Sequence, residues 1–263
     1  MPYVQPLRGG VANAGAVARV DDDVVRPAQP WTPTVHDLLR HIRASGFEGV
    51  PEPVGIEGGR ERLKFIEGQV PHSPYPPWTF SDQALTSTAV LLRRLHDTTA
   101  SYVPPPGATW NPEQADPEGG DVICHDDFRP DNVVFRDGRA FALLDFDFAA
   151  PGRRAFDVAG FTIGFLPCEA PQDAARLAGR DRPDACARFR LLADSYGALV
   201  DWTEVIEIVA QRIDRELAFL EADGGVSDVE LVARGGHKGY VERARRRREW
   251  FGQNRDRLLD ALA

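Results

Sequence analysis

The sequence predicts an α+β fold in two parts, a small antiparallel sheet followed by a mainly helical region. Three observations carry this expectation: short β-prone runs separated by acidic and glycine turns before residue 68, a proline-dense stretch over residues 69–80, and apolar residues at helical spacing through most of the remainder. The 263 residues are 43% hydrophobic and 27% charged, an ordinary globular balance that permits a sizeable core and excludes a low-complexity or collagen-like chain. No apolar run approaches the roughly 20 residues a membrane helix needs. The start, Met1-Pro2-Tyr3-Val4-Gln5, has neither the basic lead nor the apolar stretch of a signal peptide, so a soluble cytoplasmic protein is expected.

The elements follow in order. Val17 and Val25 lie in β-prone stretches on either side of the acidic turn Asp21-Asp22-Asp23, and Gly9 to Gly15 reads as a flexible connection between strands. Thr32 before Pro33 reads as a cap and first turn, and Val35, Leu38, Leu39 and Ile42 continue at helical spacing up to Gly46. Residues 54–56 and 63–66 flank Gly58-Gly59 as a second hairpin. The domain boundary is placed after residue 68, giving 1–68 and 69–263. Ser81 caps a helix through about Thr98, and a second proline-rich loop spans Pro104 to Gly120. Short strands follow at 122–124, 132–135 and 141–144, the last two joined by Arg136-Asp137-Gly138-Arg139. From about Asp184 the chain reads as three or more amphipathic helices.

A net charge of −9 repels nucleic acid and anionic membranes and favours cationic small molecules. Three cysteines, Cys124, Cys168 and Cys186, are too few and too scattered for a zinc cluster or a disulfide framework. Positive charge is almost all arginine, the lysines being Lys64 and Lys238.

The chemistry concentrates in Cys124-His125-Asp126-Asp127-Phe128-Arg129-Pro130-Asp131-Asn132, followed after the hairpin by Leu144-Asp145-Phe146-Asp147. Pro130 keeps Asp127 and Asn132 off one regular helix and on a loop between strands. The downstream hairpin can fold Asp145 back beside Asn132. A carboxylate and an amide oxygen converging in this way are hard-oxygen ligands suited to Mg²⁺ with substrate phosphates. Asp127, offset from that pair, is placed to accept a proton from an attacking hydroxyl.

These residues resemble the aminoglycoside phosphotransferase family of protein-kinase-like small-molecule kinases. Its His-x-Asp-x-x-x-x-Asn loop is matched by His125, Asp127 and Asn132, with Pro130 two before the asparagine, and its metal-binding aspartate by Asp145. Phe156-Asp157-Val158-Ala159 resembles the family's Asp-Leu-Ala segment, so His125 and Asp157 are expected to brace the loop. The resemblance implies a bilobal protein-kinase-like fold and transfer of the γ-phosphoryl group of ATP or GTP, with Mg²⁺, to a small-molecule hydroxyl.

The amino-terminal part departs from the pattern. Gly9 to Gly15, including Asn13, stands where a loop covers the nucleotide but is not Gly-x-Gly-x-x-Gly, and a plain flexible hairpin is the alternative. Arg26 occupies the place of the phosphate-pairing lysine, a replacement that keeps the charge but is not conservative. The helix that should offer a glutamate to it carries His36 and Asp37 instead. Analogy puts the Lys64 carbonyl and Ile66 amide at the adenine, in a hinge over 64–68. Arg129 is assigned to the γ-phosphate or to a solvated loop position. Asp126 and Asp147 replace neutral residues of the family pattern, either beside a second Mg²⁺ or facing away.

The acidic total and the family make an aminoglycoside, another antibiotic or a further amine-bearing compound the leading acceptor. Alternatives are a nucleotide-binding pseudokinase, or a kinase of a sugar, amino alcohol or nucleoside. A protein kinase is disfavoured because residues 147–157 leave no room for a long activation segment. Arg243 and Arg245 to Arg248 read as a solvated basic face, and Asp194, Asp201, Glu204, Glu207 and Asp214 decorate the last helices. Neither nucleic acid nor membrane is expected as a partner, and the oligomeric state is open.

Overall fold

A computed structural model of the protein describes residues 3–7, 16–72, 75–166, 168–169, 173, 184–222 and 236–263. The chain divides into two compact units. The first comprises Met1–Val70, Leu91–Asp127 and Asn132–Arg153; the second comprises Pro71–Val90, Phe128–Asp131 and Arg154–Ala263. Residues 91–127 and 132–153, which the sequence reading places in the carboxyl-terminal part, thus cluster with the sheet. Backbone pairing at long sequence separation is the reason: Gln69 and Phe135 exchange both main-chain hydrogen bonds at 2.8 Å, and the Leu143 amide donates to the Gly49 carbonyl at 2.9 Å.

In the first unit, β1 (Val4–Pro6), β2 (Ala18–Val20), β3 (Asp23–Pro27), β4 (Pro53–Glu57) and β5 (Arg60–Lys64) form an antiparallel sheet in the order β1-β2-β3-β5-β4. The β2–β3 turn needs a left-handed residue and takes Asp21, at φ 54°. The β4–β5 turn uses Gly58 and Gly59, both at positive φ, as an Asp-free type of tight hairpin requires. Helix α1 (Thr32–Ala44) buries Val35, Leu38, Leu39 and Ile42. Thr32 is its first residue rather than its cap, because its hydroxyl accepts from the Gln29 amide at 2.8 Å in the preceding turn. Helix α2 (Asp82–Thr99) starts in the second unit and ends in the first; the Ser81 hydroxyl accepts from the Ala84 amide and caps it as expected. Two small antiparallel pairs complete the first unit, β6 (Val122–Cys124) with β9 (Ala150–Gly152), and β7 (Val133–Arg136) with β8 (Arg139–Leu143).

The second unit holds α3 (Arg154–Phe165), α4 (Ala185–Tyr196), α5 (Trp202–Glu221) and α6 (Gly236–Asp260). Asp184 and Asp201 cap α4 and α5 through their carboxylates. The arginines of α6 are consumed by carboxylates rather than left as a basic face: Arg245 pairs with Glu221, Arg246 with Asp173 and Arg248 with Asp214, while Arg243 and Arg247 turn inward to Glu169 and Arg247 also meets Glu216. Phe128 packs in this unit against Phe161 and Phe165, whose rings stack 4.6 Å apart. Among the described residues no helix is long and apolar enough to cross a membrane.

Two outcomes follow from the packing of the second unit. A Cβ at Gly164 would stand 2.3 Å from the Phe128 carbonyl oxygen, so Gly164→Ala must push that loop aside. It is expected to destabilise by about 1–3 kcal/mol, whereas Gly252→Ala, on α6 with nothing within 4 Å, should stabilise; denaturant unfolding of both checks this. Burial alone would raise the Glu169 pKa, but Arg247 and Arg243 hold it down at about 2. The unfolded chain therefore binds more protons in acid, so this stabilisation is full above the ordinary glutamate range and lost as pH falls toward 2. The loss is on the order of 3 kcal/mol, and Glu169→Gln should flatten that part of a pH–stability profile measured between pH 7 and 2.

Candidate active site

Arg26 on β3 and Glu61 on β5 are direct cross-strand partners, and the Arg26 Nε–H donates to Glu61 Oε1. His36, on α1, meets the other oxygen, Oε2, through Nε2 at 2.9 Å. All three are buried, with Arg26 8%, Glu61 1% and His36 2% exposed. The ion pair missing from the helix is therefore present, but its carboxylate comes from the neighbouring strand and the helix supplies the histidine behind it. Asp37, the other helix candidate, instead accepts from the Tyr102 hydroxyl at 2.9 Å.

The remaining donors of Arg26 reach the segment after β8. Nη1 donates to Asp145 Oδ1 and Nη2 to Asp147 Oδ1, each at 2.7 Å. One guanidinium thus faces three carboxylates. Burial would lower the Arg26 pKa, but the three carboxylates more than compensate and raise it, so the residue stays charged. Asp147 shows the excess of negative charge: burial, together with Asp145 and Glu61, pushes its pKa up to about 6 against the pull of Arg26. Asp145 adopts the left-handed region at φ 63°, as does Asp126, which is buried.

The loop after β6 is held to the same segment through Leu144. His125 donates from Nε2 to the Leu144 carbonyl at 2.7 Å, and its ring packs on Phe146 at 4.8 Å. A carbonyl only accepts, so the proton of His125 lies on Nε2. The Leu144 amide donates to the Asn132 carbonyl at 2.8 Å, which places Asn132 beside the start of the Asp145 segment. The Asn132 side chain gives its Nδ2 protons to the Asp127 carbonyl and to Asp127 Oδ2, each at 2.8 Å. That leaves Oδ1 as its ligand atom. The Asn132 amide oxygen and the Asp145 carboxylate are oxygen donors chemically suited to a hard divalent cation such as Mg²⁺.

Other predicted site residues make contacts within their own unit or lie outside the description. Lys64 sits at the end of β5 with Nζ 2.8 Å from Asp23, and Ile66 follows in the segment leading to Gln69. Asn13 and the Gly9 to Gly15 loop lie outside the described residues. Arg129 belongs to the second unit, where Nε stands 3.6 Å from Asp131, which also accepts from the Tyr75 hydroxyl. Asp157 is fully buried on α3. Sequence reasoning missed Glu61 and left Asp147 undecided. The available signal for Glu61 was an acidic residue inside a strand otherwise carrying Arg60, Arg62 and Lys64, but its use depends on strand register, which no local pattern shows.

Comparison with known proteins identifies sequence and structural relatives. The sequence model of the phosphotransferase enzyme family matches residues 108–192, the stretch that holds the loop and the Asp145 segment. The trifolitoxin immunity protein of Rhizobium leguminosarum bv. trifolii is 41% identical over 198 residues, 73% of each chain. Among solved structures, amicoumacin kinase in complex with AMP-PNP, Ca²⁺ and Ami superposes with a TM-score of 0.65 over 95% of this chain and 88% of that one, at 14% identity. The GDP complex of aminoglycoside 2'-phosphotransferase-IIIa gives 0.54 over 96% and 93%, at 15% identity. The structural likenesses establish the protein-kinase-like fold, and the family model together with the 41% identical relative shows that the chain belongs to the phosphotransferase enzyme family.

Proposed function

We propose that the protein transfers the γ-phosphoryl group of ATP or GTP to a hydroxyl of a small molecule, with Mg²⁺. The observation that carries this reading is the linked set Asp127, Asn132 and Asp145, joined through Leu144 and faced by Arg26. Asp127 orients the acceptor hydroxyl and takes its proton. Asn132 donates to Asp127 Oδ2, which fixes the rotamer of the base and leaves Asn132 Oδ1 and the Asp145 carboxylate to hold Mg²⁺. When bound, that ion neutralises charge on the phosphates. Arg26 adds a fixed positive charge on the same side, and Arg129 is the second candidate for the γ-phosphate. The Lys64 carbonyl and Ile66 amide receive the base of the nucleotide, and Asn13 lies in the segment assigned to its phosphates. Catalysis by this set rests on positioning and electrostatics, as phosphoryl transfer requires.

For the acceptor we favour an amine-bearing hydroxyl compound of the antibiotic class. One relative is named for immunity to trifolitoxin, and structural neighbours are an amicoumacin kinase and an aminoglycoside 2'-phosphotransferase. The net charge of −9 draws cations. Individual carboxylates of the last helices contribute less than their number suggests, since Asp201 caps α5, Asp214 pairs with Arg248 and Asp194 with Arg190.

The first test separates base from ligand. Asp127→Asn should leave Mg-nucleotide affinity nearly intact while lowering turnover by about 10²–10⁴, whereas Asp145→Asn should weaken both; equal loss of affinity in the two variants would sink the division of roles. The second test is nucleotide-depletion screening against aminoglycosides, other antibiotics, sugars, amino alcohols and nucleosides. A cationic acceptor should be among the hits, with kcat/KM falling as ionic strength rises. Hits confined to neutral or anionic compounds would reject the cationic acceptor, and nucleotide binding without turnover of any would favour a pseudokinase.

A further inference from the structure

An arginine offers two hydrogen-bonding faces, one built by Nε with an Nη and one built by the two Nη groups at the end of the fork. Glu61 takes the Nε–H of Arg26, and the end of the fork then meets Asp145 and Asp147. The plane of the guanidinium is thus set from behind by a carboxylate that touches neither segment 125–132 nor segment 145–147 in the described contacts. Glu61 is itself set from behind, because its second oxygen is engaged by His36 at 2.9 Å. Strand register makes this possible: Arg26 and Glu61 stand directly opposite on β3 and β5, so their side chains share one face of the sheet, the face that α1 brings His36 to.

We propose that Glu61, held by His36, is the positioning residue that presents the fork of Arg26 to the phosphates of the bound nucleotide. The inference rests on the phosphotransferase reading above and goes beyond it. It moves the orienting carboxylate from the helix, where the family pattern expects it, to a neighbouring strand, and gives the helix a neutral-sized hydrogen-bonding contact in its place. It also accounts for arginine at position 26. Its planar fork separates the Nε–H that Glu61 takes from the two Nη groups at the far end, whereas a lysine would present all three of its N–H donors from one nitrogen. When nucleotide arrives, the Nη groups exchange Asp145 and Asp147 for phosphate oxygens, while the Nε bond to Glu61 persists and keeps the fork in plane.

The test uses the full chain and binding, so it does not need the acceptor. Affinities for Mg·ATP, Mg·GTP, adenosine and guanosine are measured by calorimetry or competition for wild type, Glu61→Gln, His36→Gln and His36→Leu. A glutamine at 61 keeps one acceptor oxygen but loses the charge that holds the guanidinium, and offers an NH2 where the second carboxylate oxygen stood. Glu61→Gln should weaken the preferred triphosphate about tenfold or more and leave its nucleoside within about twofold, because Arg26 meets only the phosphates. His36→Leu should weaken the triphosphate severalfold, and His36→Gln, which keeps a donor at the same reach, should restore it. A merely structural role would shift thermal stability and lower nucleoside and triphosphate affinity alike, and that result, or unchanged triphosphate affinity, overturns the proposal. Should Glu61→Gln fail to fold, the contrast between His36→Leu and His36→Gln decides alone: equal triphosphate affinity in the two overturns it. Wild-type protein that binds neither triphosphate removes the phosphotransferase reading itself, whereas wild-type binding with indifferent variants removes this proposal only.

Discussion

A single buried guanidinium neutralising three carboxylates is the interaction on which the first unit depends. Arg26 joins β3 to β5 through Glu61, reaches α1 through His36 behind it, and holds the residues after β8 through Asp145 and Asp147. Such a cluster is unforgiving, since removing one member of a buried ion pair strands the others at a cost of about 3–5 kcal/mol. It is also unbalanced. Burial above all, with Asp145 and Glu61 adding to it, pushes the Asp147 pKa up to about 6 against the pull of Arg26.

The loop and the metal segment are coupled by backbone rather than by side-chain charge. Leu144 spends its carbonyl on His125 and its amide on Asn132, so the residue just before Asp145 fixes both ends of the loop that carries Asp127. Asp127 is in turn clamped by the Asn132 amide. His125 and Asn132 are thereby tied to the hairpin through Leu144, and Asp127 is tied to them through Asn132, a rigid mounting for a polar loop.

Charge elsewhere is used locally. Arg245, Arg247 and Arg248 on α6 pair with Glu221, Glu216 and Asp214 on α5, Arg246 pairs with Asp173, and the buried pair of Arg247 with Glu169, joined by Arg243, holds α6 to the rest of the second unit. What reads in the sequence as a basic face and an acidic helix is in the fold an ion-pair seam. The three cysteines likewise serve packing: Cys124 and Cys168 are buried as free thiols, and burial raises the Cys168 pKa to about 12. Cys186 is half-buried.

Local chemistry was enough to determine much of this protein from sequence. Proline density, glycine turns and helical spacing located α1, α2 and the strands from β4 to β8 to within a few residues, as at 82–99 and 133–136, because turn residues and apolar period act over a few positions, whereas β1, β9 and α3 were not expected. The same is true of the loop, where Pro130 and the spacing of His125, Asp127 and Asn132 are properties of eight consecutive residues. Thr32 was misread as a cap because the competing turn at Gln29 uses the same hydroxyl. Only the tertiary structure decided that residues 91–127 and 132–153 cluster with the sheet, that Glu61 rather than a helix residue holds Arg26, and that Asp147 shares that arginine. Each of these depends on strand register or on contacts between residues from about thirty to more than one hundred positions apart, where the same side-chain pattern is compatible with several partners until the backbone hydrogen bonds choose one.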